Sequence, residues 1–208
     1  MRFDTLALHA TDGLTLHADL AVPEQCRGAA VVCHPHPLYG GDRFNPVVGA
    51  VVEACYEAGL AAIRFDFRGV NQSEGTHDGG IAEQLDALCA LEAVASLAED
   101  GPVLMTGYSF GSMVALNISD PRVTAWIAVA PPLGMLGGEP AVADDARSKY
   151  LIVPEHDQYS PPAATADKSA SWANTTLSVV TMADHFLGGR TARVSELVSE
   201  IITGLGTA

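Results

Sequence analysis

The segment 102–111, Pro-Val-Leu-Met-Thr-Gly-Tyr-Ser-Phe-Gly, is a short apolar run that ends in a Gly-x-Ser-x-Gly motif. A helical pattern follows the motif as far as Asp120-Pro121. In this strand–turn–helix context the motif is typical of a nucleophilic serine held on a sharp turn. We therefore predict that Ser109 is a nucleophile. The N–H of Phe110 lies at the positive end of the helix dipole. It should face the oxyanion that forms when Ser109 attacks a carbonyl.

Two glycines flank this serine at the points where the strand and the helix should come closest. Because Gly107 and Gly111 have no Cβ, the two elements can pass nearer to each other than other residues allow. The same motif also fits an ordinary glycine–serine turn in any α/β protein. The interpretation therefore depends on finding a base and an acid elsewhere in the chain.

The composition predicts one ordinary globular domain over residues 1–208. The chain has 208 residues, of which 48% are hydrophobic, enough for a sizeable core. Its formal net charge of −14 disfavours nucleic acids and anionic membrane surfaces, because no basic stripe is present to neutralise phosphates. We expect neither as a partner.

The cysteines and the N-terminus predict a cytoplasmic protein. No Cys-x-x-Cys pair occurs, and three of the four cysteines lie in apolar runs, as is typical of reduced core residues. The first residues are of mixed polarity and do not resemble a signal peptide, and no apolar run has the length of a membrane span. The cysteines are Cys26, Cys33, Cys55 and Cys89.

The order of hydrophobic patterns predicts an α/β fold. Residues 3–8 and 14–22 read as an N-terminal hairpin around Asp12-Gly13. Strands and helices then alternate, which requires a mostly parallel sheet with helices on both faces. The later strands are predicted at 29–33, 60–67, before Ser109, and at 123–130, 150–153 and 177–182. The helices should begin at Asn45-Pro46, Ile81, Phe110 and Ser160-Pro161, with Asn45 and Ser160 as N-caps before proline, and a last helix is predicted over 194–201.

Two of the last predicted strands end in residues that suit the serine. Asp157 follows the strand at 150–153, and His185 follows the strand at 177–182. The order Ser109, Asp157, His185 is the order serine, acid, histidine that α/β-hydrolases use. Asp184 directly precedes His185 but is badly placed to reach the His185 ring, because neighbouring side chains in an extended loop point apart. Glu155 is the fallback acid if the turn after Pro154 is shifted.

The chain resembles the small, cap-less bacterial α/β-hydrolases related to dienelactone hydrolase, in the branch with a serine nucleophile. This resemblance covers nearly the whole chain and implies an α/β-hydrolase fold, esterase-type serine hydrolysis, and neither metal nor cofactor. One departure is Pro154-Glu155-His156-Asp157, where relatives often carry glycine two or three residues before the acid. The motifs that carry the resemblance are His34-Pro35-His36-Pro37-Leu38-Tyr39-Gly40-Gly41, Arg64-Phe65-Asp66-Phe67-Arg68-Gly69-Val70, Ser73-Glu74-Gly75, Gly107-Tyr108-Ser109-Phe110-Gly111 and Ala183-Asp184-His185-Phe186.

The same resemblance implies that the N–H of His36 is the second oxyanion donor, with Leu38 as a lesser candidate. The prolines on either side of His36 carry no N–H. An alternative interpretation takes His34 and His36 as a metal pair, but the sequence places no third ligand. Three charged residues that the family uses more often to brace a loop than for chemistry are Arg64, Asp66 and Arg68.

The segment between the strands that end at Ala130 and begin at Tyr150 is too short for a helical cap. We therefore expect a shallow, open pocket and a preference for small carboxylic esters with short acyl groups. Thioesterase, peptidase or acyltransferase chemistry on the same residues remains open, as does a non-catalytic binding module. The oligomeric state is also open. The pocket should be edged by Leu38, Tyr39, Phe110, Leu133, Met135 and Leu136.

Overall fold

The fold is one eight-stranded sheet with five α-helices in a computed structural model that describes residues 1–135 and 138–205. The strands are β1 Asp4–His9, β2 Thr15–Ala21, β3 Ala29–Cys33, β4 Ala61–Phe65, β5 Val103–Tyr108, β6 Ala125–Val129, β7 Ser148–His156 and β8 Thr175–Asp184. The helices are α1 Pro46–Glu57, α2 Glu83–Ala95, α3 Phe110–Leu116, α4 Pro162–Lys168 and α5 Thr191–Leu205. Short 3-10 turns cover Pro37–Tyr39, Ser96–Ala98 and Leu133–Met135.

The sheet order β1-β2-β4-β3-β5-β6-β7-β8 confirms the predicted α/β-hydrolase fold. The pairs β1–β2 and β2–β4 are antiparallel, and all other pairs are parallel. β5 therefore lies in the middle of the sheet, and its carboxyl end lies at the edge where active sites of parallel sheets form.

Helices cover both faces of the sheet, since β3, β5 and β6 are largely apolar and buried along their whole length. One core packs α2 and α3 against the sheet around Trp126 and Leu91. The other core packs α1 and α5 around Ile127 and Val51. Between β6 and β7 the described residues form a 3-10 turn and irregular backbone, without a helical cap.

Two local predictions differ from the structure. β7 and β8 run further than expected because their pairing shifts register between Pro154 and His156 and resumes at His156 with Asp184. The predicted N-cap at Ser160 is wrong: α4 begins at Pro162 without a side-chain cap, and Ser160 Oγ accepts the N–H of Gly134 instead.

Asn45 does cap its helix as predicted, since its side chain accepts the N–H of Val47 at 2.9 Å. Over residues 1–135 and 138–205, no helix combines the length and apolar character that crossing a lipid bilayer requires.

Candidate active site

Ser109 lies on a strained turn between β5 and α3. Its φ of 52° and ψ of −120° are in a region that non-glycine residues rarely adopt. Two close approaches keep it there. A Cβ on Gly107 would overlap the backbone of Gly111, and a Cβ on Gly111 would overlap the carbonyl oxygens of Cys33 and His34. The turn therefore projects the serine side chain beyond the carboxyl end of β5.

The structure brings Ser109, His185 and Asp157 into one hydrogen-bonded chain. Ser109 Oγ lies 2.8 Å from His185 Nε2, and His185 Nδ1 lies 2.7 Å from Asp157 Oδ2. Because a carboxylate only accepts, the proton of the neutral ring belongs on Nδ1, which leaves the Nε2 lone pair facing the serine hydroxyl. This arrangement can remove a proton from Ser109.

The carboxylate of Asp157 is buried, with 3% of the residue exposed, yet both of its oxygens have donors. Oδ1 accepts the N–H groups of Tyr159 at 2.8 Å and Ser160 at 3.0 Å, while Oδ2 faces His185. Neither oxygen of this buried carboxylate is therefore left without a hydrogen-bond partner.

The other two acids near His185 are engaged elsewhere. Asp184 is exposed and accepts the N–H of Phe186 at 3.1 Å. Glu155 is exposed and accepts the N–H of Met182 at 2.7 Å. Neither contacts the ring of His185, so the fallback interpretation through Glu155 has no geometric support.

Three residues that the sequence analysis did not single out hold the loop of His185. The hydroxyl of Tyr108 donates to the His185 carbonyl at 2.9 Å, and the N–H of His185 donates to Gln158 Oε1 at 3.3 Å. The ring of Tyr159 meets the imidazole edge-on at 4.6 Å between centroids. Burial, followed by the charge of Asp157, raises the pKa of the Tyr108 phenol, which keeps it a donor. The only sequence signal was the position of Tyr108 inside the Gly-x-Ser-x-Gly motif.

The two predicted oxyanion donors have unused N–H groups. In the described part of the chain, the backbone N–H groups of His36 and Phe110 donate to no protein acceptor. The N–H of Leu38, the lesser candidate, donates to His36 Nδ1 at 3.2 Å. His36 and Phe110 are therefore better suited than Leu38 to bind an oxyanion.

His34 is a buried structural residue rather than half of a metal pair. Its Nε2 accepts the N–H of Phe67 at 3.0 Å, and its Nδ1 lies 2.6 Å from the carbonyl oxygen of Pro35. Desolvation by burial lowers the pKa of His34 to about 4, so the ring is neutral. Both nitrogens are occupied, and the described residues hold no group of three or more potential metal ligands.

The three charged residues of the Arg-Phe-Asp-Phe-Arg motif brace the backbone beneath the site. Arg64 pairs with Asp19, Arg68 pairs with Asp86, and the carboxylate of Asp66 accepts from the backbone N–H and the guanidinium of Arg43. None of the three lines the cleft above Ser109.

A cleft of about 670 Å³ opens above Ser109, within the usual range for small-molecule sites. Besides the loops that the sequence analysis considered, the segment before α2 and the residues of α3 contribute walls to it. The described residues that line it include no Asp, Glu, Lys or Arg. Its apolar and aromatic walls come from Tyr39, Ile81, Phe110, Met113, Met135, Tyr159 and Phe186.

The predicted pocket residues divide into three groups. Tyr39, Phe110 and Met135 line the cleft. Leu133 does not: only 2% of it is exposed, because it packs into the core on the α2–α3 side of the sheet. Leu38 is 72% exposed and borders a separate depression. Leu136 lies outside the described residues.

Comparisons with known proteins agree with this fold. The structure of an α/β serine hydrolase homologue from Coxiella burnetii superposes with a TM-score of 0.87 at 27% identity, covering 97% of this chain and 98% of that one. An α/β serine hydrolase without a lid from Xanthomonas campestris superposes with a TM-score of 0.86 at 26% identity, covering 100% and 97%.

A curated relative, the uncharacterized protein RP471 of Rickettsia prowazekii, is 34% identical over 113 residues. These residues are 51% of this chain, and the match spans about half (46%) of that protein's length.

The fold and these structural relatives define a cap-less α/β-hydrolase of the serine hydrolase class, as the sequence predicted. Within that class, the sequence profile of the X-Pro dipeptidyl-peptidase (S15) family matches residues 12–182. The chain belongs to this family. The narrower relation to dienelactone hydrolase stays a prediction.

Proposed function

We propose that this protein hydrolyses small, uncharged carboxylic esters through a catalytic triad of Ser109, His185 and Asp157. The observation that supports the proposal most directly is the hydrogen-bonded chain that these three side chains form, with distances of 2.8 and 2.7 Å. The half-buried Ser109 lines the cleft. His36 and Phe110, whose backbone N–H groups are unused, line the same cleft.

In the proposed mechanism, His185 Nε2 takes the hydroxyl proton as Ser109 Oγ attacks the ester carbonyl. The N–H groups of His36 and Phe110 stabilise the resulting oxyanion. Protonated His185, stabilised by Asp157, gives its proton to the leaving alcohol, and the acyl-enzyme forms. Water, deprotonated by His185, then hydrolyses the acyl-enzyme and regenerates the serine.

The preference for uncharged substrates follows from the walls of the cleft. Burying a charged group is costly unless a group of opposite charge pairs with it. The described lining residues include no carboxylate, ammonium or guanidinium that could do so. The net charge of −14 further slows the approach of anions. A neutral ester avoids both penalties.

Peptidase activity is the second candidate, because the family name refers to an X-Pro dipeptidyl-peptidase. An enzyme that releases N-terminal dipeptides must distinguish a free α-ammonium, for which a carboxylate near the nucleophile is the natural partner. The described lining residues supply none, which favours ester hydrolysis. Thioesterase and acyltransferase activities use the same triad. They differ from ester hydrolysis only in the leaving group or in the acceptor of the acyl group.

Labelling with a fluorophosphonate tests the nucleophile. We expect one label per chain at Ser109, and no label on Ser109→Ala. The matched control is Ser171→Ala, since Ser171 is an exposed serine far from the cleft that bonds to Glu139. A protein that is folded by circular dichroism but never labelled is a binding module rather than a hydrolase.

A substrate panel tests the bond type. The panel pairs a neutral 4-nitrophenyl ester with its thioester, a Gly-Pro 4-nitroanilide and an ester that carries a carboxylate on the acyl group. We expect the neutral ester to have the highest kcat/KM. Faster turnover of the Gly-Pro anilide would replace the esterase proposal with the peptidase one.

A further inference from the structure

We propose that His77, whose loop is held by the buried carboxylate of Glu83, is a positioning residue that fixes the distance between the two oxyanion donors, His36 and Phe110. The inference rests on the proposed function, because it concerns the oxyanion site of that reaction. It assigns a role to a histidine that lies outside the hydrogen-bonded chain of Ser109.

Three rings form a closed cluster behind the wall of the cleft. The centroid of the His77 ring lies 4.8 Å from that of His36 and 5.2 Å from that of Phe110, and the last two are 4.9 Å apart. Each pair is within the range in which rings attract one another. His36 and Phe110 line the cleft, but His77 does not, so its ring supports the other two from behind.

The two donors belong to elements that are held by different contacts. Phe110 begins α3, which the close contact of Gly111 with the end of β3 holds in place. His36 lies in an irregular turn whose own backbone bonds are local: its carbonyl accepts the N–H groups of Tyr39 and Gly41. The ring contacts join this turn to α3, so the position of the His36 N–H depends on them.

Glu83 anchors the loop that carries His77. Glu83 is fully buried, and its two oxygens accept the N–H groups of Asp78 and Gly80, both at 2.8 Å. His77 Nδ1 lies 2.7 Å from Glu83 Oε1, close enough for an ion pair, but the two groups are not aligned for a hydrogen bond, and within the described residues this buried nitrogen has no other hydrogen-bond partner. Burial raises the pKa of Glu83, but the backbone hydrogen bonds outweigh it and the net shift is downward, so the carboxylate is charged. One side chain at the start of α2 thus fixes the loop that carries His77.

The ring of His36 is itself held with an unprotonated Nδ1. Its Nδ1 accepts the N–H of Leu38 at 3.2 Å, which closes the 3-10 turn and requires an unprotonated nitrogen. Desolvation, and then the neighbouring His77, lower the pKa of His36, which keeps that nitrogen an acceptor. The turn, the ring cluster and the carboxylate of Glu83 therefore form one continuous support for the His36 N–H.

The experiment compares His77→Ala, His77→Phe and Glu83→Gln with the wild-type protein on one neutral ester. His156→Ala is the matched control, because His156 also neighbours a glutamate, Glu155, but is exposed at 3.9 Å from it and lies outside the cleft. For each variant, kcat, KM and the rate of fluorophosphonate labelling at Ser109 are measured, with folding checked by circular dichroism.

We expect His77→Ala to lower kcat by about 10- to 100-fold and to change KM by less than about threefold, because a displaced donor weakens transition-state binding more than substrate binding. Labelling of Ser109 should slow in parallel. His77→Phe keeps a ring and should restore kcat to within about threefold of wild type, and His156→Ala should match wild type. Glu83→Gln should behave like His77→Ala, because the amide has one accepting oxygen where the carboxylate has two, so the N–H groups of Asp78 and Gly80 cannot both keep their bonds and the loop that carries His77 would move.

Three outcomes would overturn the inference. Wild-type kcat in folded His77→Ala would show that the cluster does not position the donors. A large loss of kcat in His77→Phe would show that the imidazole acts chemically and not by packing. An increase in KM with unchanged kcat in His77→Ala would show a role in substrate binding. A wild-type protein without ester turnover or labelling would instead refute the proposed function, on which the inference depends.

Discussion

The carboxylate oxygen Oδ2 of Asp157 lies 2.7 Å from Nδ1 of His185, although 28 positions separate the two residues in the chain. Asp184, which precedes His185 directly, makes no contact with the imidazole and accepts the N–H of Phe186 instead. The neighbouring carboxylate is therefore not the orienting one in this geometry. The contact forms because β7 and β8 are adjacent and parallel, so that their carboxyl ends lie side by side.

Asp157→Asn should lower kcat by about 10⁴-fold, the scale seen when a serine protease loses the same carboxylate, because the amide permits the wrong tautomer of His185. Asp184→Asn and Glu155→Gln are the matched controls and should each cost less than about 1 kcal/mol of transition-state stabilisation. The three purified variants are assayed on one short ester. Near-normal turnover in a folded Asp157→Asn variant would contradict the assignment.

Gly111→Ala should abolish activity and destabilise the fold by roughly 2 kcal/mol or more, because the new methyl group would overlap the carbonyl oxygens of Cys33 and His34. Gly49→Ala is the control. Gly49 lies in α1 with no neighbour within 4 Å of an added Cβ, and its replacement should stabilise the protein by about 0.5–1 kcal/mol. Urea unfolding gives both values. A stable, active Gly111→Ala variant would show that α3 can move away from β3.

Stability should fall as the pH is lowered from about 6.5 to about 4 because of His34. Burial lowers the pKa of this histidine to about 4, so the unfolded chain takes up a proton in this window before the folded one does. The free energy of unfolding falls by roughly 3 kcal/mol by about pH 4, and there is no loss above the pKa of histidine in the unfolded chain.

The measurement is the free energy of unfolding against pH for wild type and His34→Asn. The variant cannot titrate at this position, so its free energy should depend less on pH between 6.5 and 4, whatever its stability at pH 7. His156→Gln, at an exposed histidine, should keep the wild-type pH dependence. Parallel curves for wild type and His34→Asn would contradict the prediction.

Acyl-chain preference should follow the extent of the cleft. Each methylene that the cleft covers contributes about 0.8 kcal/mol, or about fourfold in kcat/KM, and methylenes beyond its walls contribute little. We expect kcat/KM to rise with acyl length and then to level off. A steady rise to long acyl groups would contradict this.

Met113→Ala should move that plateau to longer acyl groups, because Met113 is a largely buried wall of the cleft on α3. Met182→Ala is the matched control: Met182 is 68% exposed and does not line the cleft. An unchanged plateau in Met113→Ala would place the acyl group elsewhere in the cleft.

The sequence by itself determined the order of the elements and the position of the strained turn. Those features depend on local chemistry. The apolar run before Ser109, the glycines at 107 and 111 and the hairpin signal at Asp12-Gly13 all act within a few residues of one another. The alternation of strands and helices predicted a mostly parallel sheet covered by helices, the resemblance carried by the motifs implied the α/β-hydrolase fold, and the structure confirms both.

Tertiary structure alone decided which distant side chains meet. Leu133 is apolar and follows a strand, but whether it faces the cleft or the core depends on how the segment after β6 packs, and it packs into the core. The contacts among His36, His77, Phe110 and Glu83 were equally invisible, because they join two loops and the starts of two helices. Local hydrophobic periodicity does not predict such contacts. They depend on the distances between the ends of the strands, which are set only when the sheet has formed.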